Sequence, residues 1–406
     1  MPHAATPSAA PTVRIAILDS HPIQYHAPWF RELSRLCELE VLYAHRQSSA
    51  GQARAGYGVA FDWDVDLSSG YASRFLHNVA KDPGVHHFAG CDTPDLTDLV
   101  RAQGYDAVIA TGWYLKTYWQ AVYACKRARV PVLVRGDSQL GTQRRGALRM
   151  GKELVYPALL RAFDGYLSVG ARNRAYLEHY KAPPDRIFRV PHTVDVERFR
   201  TAHMLSNEAR AALRAKLGAG EPGTYLVLHV GRLVESKHSL DLIEAVLLLQ
   251  ERARSGRWVI ACAGAGPMEA ELKARAAARR VELHMLGFVN QSELPSLYAA
   301  ADILALTSDA AETWGLVVNE AMASGLPAVV SQAAGCAPDM VKEGLTGFSY
   351  RLGDINALAT ALYRARELRA LPEAQAALAR VTTLHSPKTA AEATLAAARA
   401  IAGRAR

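Results

Sequence analysis

Short apolar runs alternate with longer segments of helical periodicity from one end of the chain to the other. Brief aliphatic runs bounded by turn residues are the pattern of strands buried on both faces, and the longer segments between them suit crossover helices. In the first half this pattern predicts strands at Val13–Asp19, Glu38–Ala44, Asp106–Thr111, Val130–Arg135, Gly165–Val169 and Ile187–Val190, with helices that include Tyr114–Arg129 and Gly170–Tyr180. The rhythm breaks over Asp195–Gly223, a charged stretch, helical in its middle, that ends in Gly218-Ala219-Gly220-Glu221-Pro222-Gly223 and reads as an interdomain linker. It restarts with strands at Tyr225–Val230, Trp258–Ala263, Val281–Leu286, Ile303–Thr307 and Ala328–Ser331. The fold class expected is α/β: two consecutive doubly wound domains, 13–194 and 224–385, and a closing segment 386–406 with a helix at Thr389–Ala402. In such sheets ligands bind beyond the carboxyl ends of the strands, which directs attention to the loops that follow them.

Composition narrows the class. The chain has 406 residues, half of them hydrophobic and 21% charged, enough for two ordinary cores. Residues 1–12 are rich in Ala, Pro and Ser, without the basic start or apolar core of a signal peptide, and are expected to be a flexible lead-in. No apolar run approaches the roughly 20 residues that span a bilayer. Five scattered cysteines without a CxxC pair argue against a disulfide framework or zinc site and fit a reducing, cytoplasmic setting. The net charge of +8 is concentrated between Arg144 and Arg189, where ten Lys/Arg face four acids. Such a stretch favours an anionic acceptor or peripheral contact with an anionic membrane face, or is simply a solvated helical face. No RNA- or DNA-binding signature accompanies it, so nucleic acid is not an expected partner.

Three loops carry candidate chemistry. After the strand ending at Val230, Gly231 allows a close turn, and Arg232 and Lys237 follow at the ligand edge of the sheet, where a planar fork and a point charge can straddle a diphosphate. After Trp258–Ala263, Gly264 and Gly266 open a helix whose N-terminal amides suit an anion, although Glu269 stands where a GxGxxG fingerprint has its third glycine. After Ile303–Thr307, Glu312 lies in the loop and Glu320 eight residues on, in the first turns of the next helix, with the backbone of Thr313, Trp314, Gly315 and Leu316 between them.

Taken in order, these segments resemble the retaining family-4 glycosyltransferases of the GT-B fold. The resemblance runs through Gly231-Arg232, Leu286-Gly287-Phe288-Val289, the Glu312–Glu320 pair, Glu320-Ala321-Met322-Ala323-Ser324-Gly325-Leu326-Pro327 and Glu343-Gly344-Leu345-Thr346-Gly347-Phe348, nearly the whole second half. The first half matches mainly in layout, and its opening His21-Pro22-Ile23-Gln24-Tyr25-His26 looks like a subset of that family. The resemblance implies two Rossmann-like domains facing each other across a cleft that closes over a nucleotide-diphosphate sugar, the donor substrate. Arg232 and Lys237 would hold the diphosphate, Glu312 the donor sugar, Glu320 the ribose, and Phe288 and Val289 the base. No metal and no further cofactor are implied, and the leaving phosphate would take the acceptor proton as configuration is retained. The acceptor, a glycan, a lipid-linked sugar or a small molecule, would sit against the first domain, with His21, Gln24, Arg135 and Asp137 as cleft candidates. The last helix would cross back to brace that domain.

The chain departs from the family at three places. His238 stands where a Gly usually follows the lysine, Arg135-Gly136-Asp137-Ser138 where relatives often carry a His, and Pro191-His192-Thr193-Val194-Asp195 where they have an Asn-Gly-containing hinge. Other readings remain. Asp62-Trp63-Asp64-Val65-Asp66 contains an Asp-x-Asp spacing that can bind a divalent metal, but its alternation predicts a half-buried strand with one wet face. A GT-B-fold epimerase or a non-catalytic nucleotide-sugar-binding protein would carry a similar second half.

Overall fold

The structure, a computed structural model, describes residues 13–53, 60–142, 147–251 and 256–405. The predicted lead-in 1–12 and the cations Arg144 and Arg145 of the basic stretch lie outside them. The first domain holds a seven-stranded sheet of β1 (Arg14–Asp19), β2 (Glu38–Tyr43), β3 (Ala72–Phe75), β4 (Ala107–Ala110), β5 (Val132–Gly136), β6 (Gly165–Ser168) and β7 (Ile187–Arg189), in the order β3-β2-β1-β4-β5-β6-β7. The second holds a six-stranded sheet of β8 (Thr224–Val230), β9 (Arg257–Ala263), β10 (Glu282–Gly287), β11 (Ile303–Leu306), β12 (Ala328–Ser331) and β13 (Gly347–Tyr350), in the order β10-β9-β8-β11-β12-β13. Every pair is parallel. Both faces of each sheet are covered by helices, which is why β4, β11 and β12 are buried at every residue and read as unbroken apolar runs. Strand order reverses between β1 and β4 and again between β8 and β11, so a crevice opens at the carboxyl end of each sheet.

Three sequence expectations change. Strands β3 and β13 were not foreseen, being short edge strands of four residues each. The run Asp62–Asp66 is not a strand. Its alternation is real, with Phe61, Trp63 and Val65 partly covered and Asp62, Asp64 and Asp66 exposed, but no strand among the described residues pairs with it. Nor is 195–223 a tether. Helices Val196–Arg200 and Asn207–Lys216 lie within it, and Val196, Phe199, Leu217 and Ala219 are buried in the core of the second domain. Arg214 fastens the second helix by reaching Asp302 Oδ2 and the Thr224 carbonyl, both at 2.8 Å.

The helix Pro387–Ala405 returns to the first domain. Its Ala390, Ala391, Leu395, Ala397, Ala398 and Ile401 share a buried cluster with Ile15, Ile17, Trp29 and Phe30, and Trp29 Nε1 donates to Thr394 Oγ1 at 3.1 Å. Alanines dominate this face, so the helix lies close against the sheet. The domains also touch directly. Asp339 of the second domain accepts from the Ala171 amide at 2.9 Å, at the start of helix Ala171–His179, and pairs with Arg189 at 3.0 Å.

Candidate functional site

The two crevices merge into one cavity of about 310 Å³. On its second-domain side the ends of β8, β9 and β10 are laced together by backbone. Gly231 N donates to the Ala263 carbonyl at 3.0 Å, Gly264 N to Gly287 at 2.7 Å and Leu233 N to Ala265 at 2.9 Å. A Cβ on Gly264 would stand 1.8 Å from the Gly231 carbonyl oxygen, so this glycine is obligatory for the packing of two loops. Gly231, Arg232, Lys237 and Gly264 line the cavity, but Gly266 does not: it faces the Leu233 carbonyl, which a Cβ would approach to 2.3 Å. The donor-contact expectation for Gly266 is therefore replaced by a backbone-packing one.

Lys237 ends a single 3-10 turn, Glu235–Lys237, and Thr307 Oγ1 donates to its carbonyl at 2.6 Å. Its ammonium forms an ion pair with Glu312 Oε2, which also accepts from Ser308 Oγ at 3.2 Å. Behind the pair, His229 bridges the Ala305 carbonyl and Ser239 Oγ; burial and the nearby Lys237 push its pKa down to about 4, so it is a neutral crosslink. The Glu312 loop is held from the first domain too, because Gln139 Nε2 donates to the Glu312 and Ala310 carbonyls at 2.8 and 2.9 Å. Gly315, with φ 103°, turns the chain into helix Leu316–Ala323, and Thr313, Trp314, Gly315, Leu316 and Val317 line the cavity at its N-terminus. First-turn amides lack intrahelical partners and favour an anion there. The Trp314 indole itself is buried and donates to Asn319 Oδ1 at 2.8 Å, a structural role.

Glu320 is the deepest charged group in the wall. It is 0% exposed; Tyr298 donates to its Oε2 at 2.6 Å, and Oε1 has no hydrogen-bond partner among the described residues. Burial pushes its carboxyl up to about 7, against the opposing pull of Tyr298, Arg198 and Tyr25. Phe288 and Val289, just past β10, complete this side.

From the first domain the cavity is lined by Gln24, Tyr25, Trp63, Asp137 and His192. Asp137 Oδ2 accepts from Thr313 Oγ1 at 2.7 Å, a hydrogen bond across the cleft. The structure does not bring His21 or Arg135 to the cavity wall. His21 pairs with Ser20 Oγ at 2.9 Å, and burial pushes its pKa down to about 4. Arg135 lies buried over the Trp29 ring, reaching the Pro191 carbonyl and His192 Nδ1 at 3.3 Å, and burial lowers its pKa to about 10. Arg135 supports the wall from behind. Tyr25, Trp63, His192 and Gln291 belong to the wall and were not singled out in the sequence. Trp63 was passed over because its run looked like a strand, and Gln291 because it stands two residues past a recognised loop. Among the described residues, one trio of metal-ligating type, Asp82, His86 and His87, lies outside this cavity.

Several cations of the basic stretch are engaged. Arg172 reaches Gln139 Oε1 and the Ala333 carbonyl at 3.0 and 3.1 Å, Arg174 pairs with Glu178, and Lys152 lies over the rings of Tyr156, Tyr176 and Tyr180. No helix among the described residues is long and apolar enough to cross a membrane.

Residues 210–381 match the family model described as glycosyl transferases group 1. The match covers 172 of the 406 residues. The sulfoquinovosyl transferase SQD2 of Arabidopsis thaliana is 38% identical over 153 residues, 37% of this chain and 28% of that protein. A D-inositol 3-phosphate glycosyltransferase of Streptomyces scabiei is 32% identical over 200 residues, 47% of this chain and 43% of that protein. The chain spans 28% to 56% of the length of the curated relatives it matches. Over nearly its whole length it superposes on Anabaena Alr3699/HepE in complex with UDP, with a TM-score of 0.71, 19% identity, and 95% and 98% of the two chains covered. The fold is thus GT-B, with the two domains facing each other across the cavity.

Proposed function

We propose that the chain is a retaining family-4 glycosyltransferase that moves a sugar from a nucleotide-diphosphate donor to an acceptor held against the first domain. The observation that carries this reading is the unpartnered, buried Oε1 of Glu320, in the same cavity as the Lys237–Glu312 pair. A buried acceptor left unmade costs about 1–3 kcal/mol, and a ribose hydroxyl would satisfy it. An arriving diphosphate would give Lys237 and Arg232 anionic oxygens and free Glu312 to accept from the donor sugar. The anomeric C–O bond then breaks with its electron pair moving to the diphosphate, whose growing charge those two cations and the amides at Gly315–Leu316 stabilise. The acceptor oxygen bonds the same face of the sugar, and its proton passes to the leaving phosphate oxygen. Two cations and a helix N-terminus meet the diphosphate charge, so no metal is required in this scheme.

The Anabaena structures with UDP, UDP-glucose and glucose make a nucleoside diphosphate hexose the donor class to test first. For the acceptor we propose a glycan, a lipid-linked sugar or a small molecule, met in the cytoplasm, with the basic stretch as a contact to an anionic membrane face. Thermal stabilisation by nucleoside diphosphates and their sugars, with EDTA present throughout, tests the donor site. A shift with one base that Arg232→Ala abolishes is expected. A shift that appears only when a divalent metal is restored would overturn the metal-free scheme. Release of free nucleoside diphosphate that depends on an added acceptor would separate transfer from epimerisation.

A further inference from the structure

The segment Phe61–Asp66 joins the two domains at the rim of the cavity. Phe61 lies on Phe288 with ring centroids 4.1 Å apart and 33° between planes, and meets Trp63 edge-on at 4.7 Å. Trp63 itself lines the cavity beside Phe288 and Val289. On the outer side the Asp62 carbonyl accepts from Asn290 Nδ2 at 2.8 Å, and the Asp64 carboxylate takes the Ser292 amide at 3.2 Å together with the Ser292 hydroxyl. At its far end the segment is tied to its own domain, where Arg31 donates to the Ser69 and Asp66 carbonyls at 3.0 and 2.6 Å and Asp66 Oδ1 receives the Ser68 and Ser69 amides. Both partners on the second domain, Asn290 and Ser292, sit in the loop that carries Phe288 and Val289.

We propose that this strap is the first domain's half of the nucleobase subsite. Trp63, braced by Phe61 against Phe288, supplies an aromatic face on which the donor's base stacks, and Asp64 latches that face to Ser292. The inference rests on the donor site proposed above. It explains why the acids alternate with aromatic and aliphatic residues without forming a ladder: one side of the segment meets the cavity and the Phe288 ring, and the other is exposed and carries the Asp64 latch. Base–aromatic stacking tolerates every base, being worth about 1–3 kcal/mol. The strap therefore sets affinity for the nucleoside part of the donor and leaves the diphosphate contacts alone.

Calorimetric titration of the full chain with nucleoside diphosphates and with inorganic diphosphate separates these contributions. Trp63→Ala should weaken nucleoside diphosphate binding between about five- and 150-fold, while inorganic diphosphate changes less than twofold. Trp63→Phe should recover most of the loss, and Asp64→Ala, which breaks the latch without altering the cavity wall, should show a smaller loss of the same kind. Equal nucleotide affinity in wild type and Trp63→Ala, with both folded by circular dichroism, overturns the strap subsite and leaves the donor site standing. Equal losses for the nucleotide and inorganic diphosphate also overturn it, because the effect would then lie in domain packing. A wild-type chain that binds no nucleoside diphosphate overturns the donor site and the strap with it.

Discussion

The two sides of the cleft are built from different materials. On the second-domain side the wall is largely backbone: β8, β9 and β10 end in loops joined by main-chain hydrogen bonds, and Gly264 and Gly266 have carbonyls where a side chain would start. Gly335 repeats the device, since its Cβ would stand 1.7 Å from the Thr313 carbonyl oxygen. On the first-domain side the support is a side-chain network, in which Asp19 binds His26 at 2.6 Å and Thr111 at 2.8 Å, and Arg135 reaches over Trp29 to His192. A backbone wall tolerates almost no change at its glycines. A side-chain network can be rewired while its outline is kept.

The largest expected effect follows from that contrast. Gly264→Ala must displace the Gly231 loop and also adopt φ 152°, and should cost more than about 3 kcal/mol in denaturant unfolding. Gly104 of the first domain is also left-handed, at φ 63°, but has open space around it, so Gly104→Ala should cost only about 1 kcal/mol. Similar losses at both positions would erase the distinction between the two walls.

The two walls also differ in what the sequence revealed. Gly231-Arg232, Glu312 and Glu320 could be read because they stand at fixed spacings after strand ends that were themselves visible as apolar runs. Ten of the thirteen strands were visible as apolar or alternating runs, and an eleventh, β7, as the short run at Ile187–Val190. β3 and β13 escaped because a four-residue edge strand has little periodicity to show. Asp62–Asp66 misled for a deeper reason. Alternation reports that two sides of a segment meet different surroundings, and says nothing about whether its amides pair with another strand. Arg135 could be placed at a strand end, but which way it turns depends on Trp29 and His192, contributed by other parts of the chain.

A middle-sized effect tests the one buried carboxyl of the backbone wall. The folded pKa of Glu320, about 7, exceeds its ordinary value of 4.5, so the folded state holds the proton more tightly. This group's share of stability is complete below about pH 4.5 and is lost as pH rises through about 7, a change of about 3 kcal/mol. Glu320→Gln should remove that share of the pH dependence, making the variant the more stable protein at pH 8, while nucleotide affinity falls at least tenfold. Parallel pH–stability curves for variant and wild type would show that the carboxyl is not strained as described.

The smallest effect sharpens the comparison inside the second domain. His238 takes a left-handed conformation, φ 47°, at the position where the family usually has glycine. His238→Gly removes about 1–2 kcal/mol of backbone strain and adds up to about 1 kcal/mol of unfolded-state freedom. A net gain of about 0.5 kcal/mol in the denaturant midpoint is expected; a loss would mean that the weak contacts of His238 to Asp241 and Asp309 matter more than its backbone.

The returning helix Pro387–Ala405 has a consequence for how the protein is made. The Trp29–Thr394 hydrogen bond spans 365 positions, and the cluster that covers one face of the first sheet takes a whole side from the last residues of the chain. During synthesis the first domain emerges early yet stays roofless until the second has been translated in full. Ile15, Ile17, Trp29 and Phe30 then wait without the helix that covers them, a window in which a nascent chain is open to aggregation or to chaperones. The part of the molecule that is born first is finished last, and its completion certifies that the second domain has already been delivered.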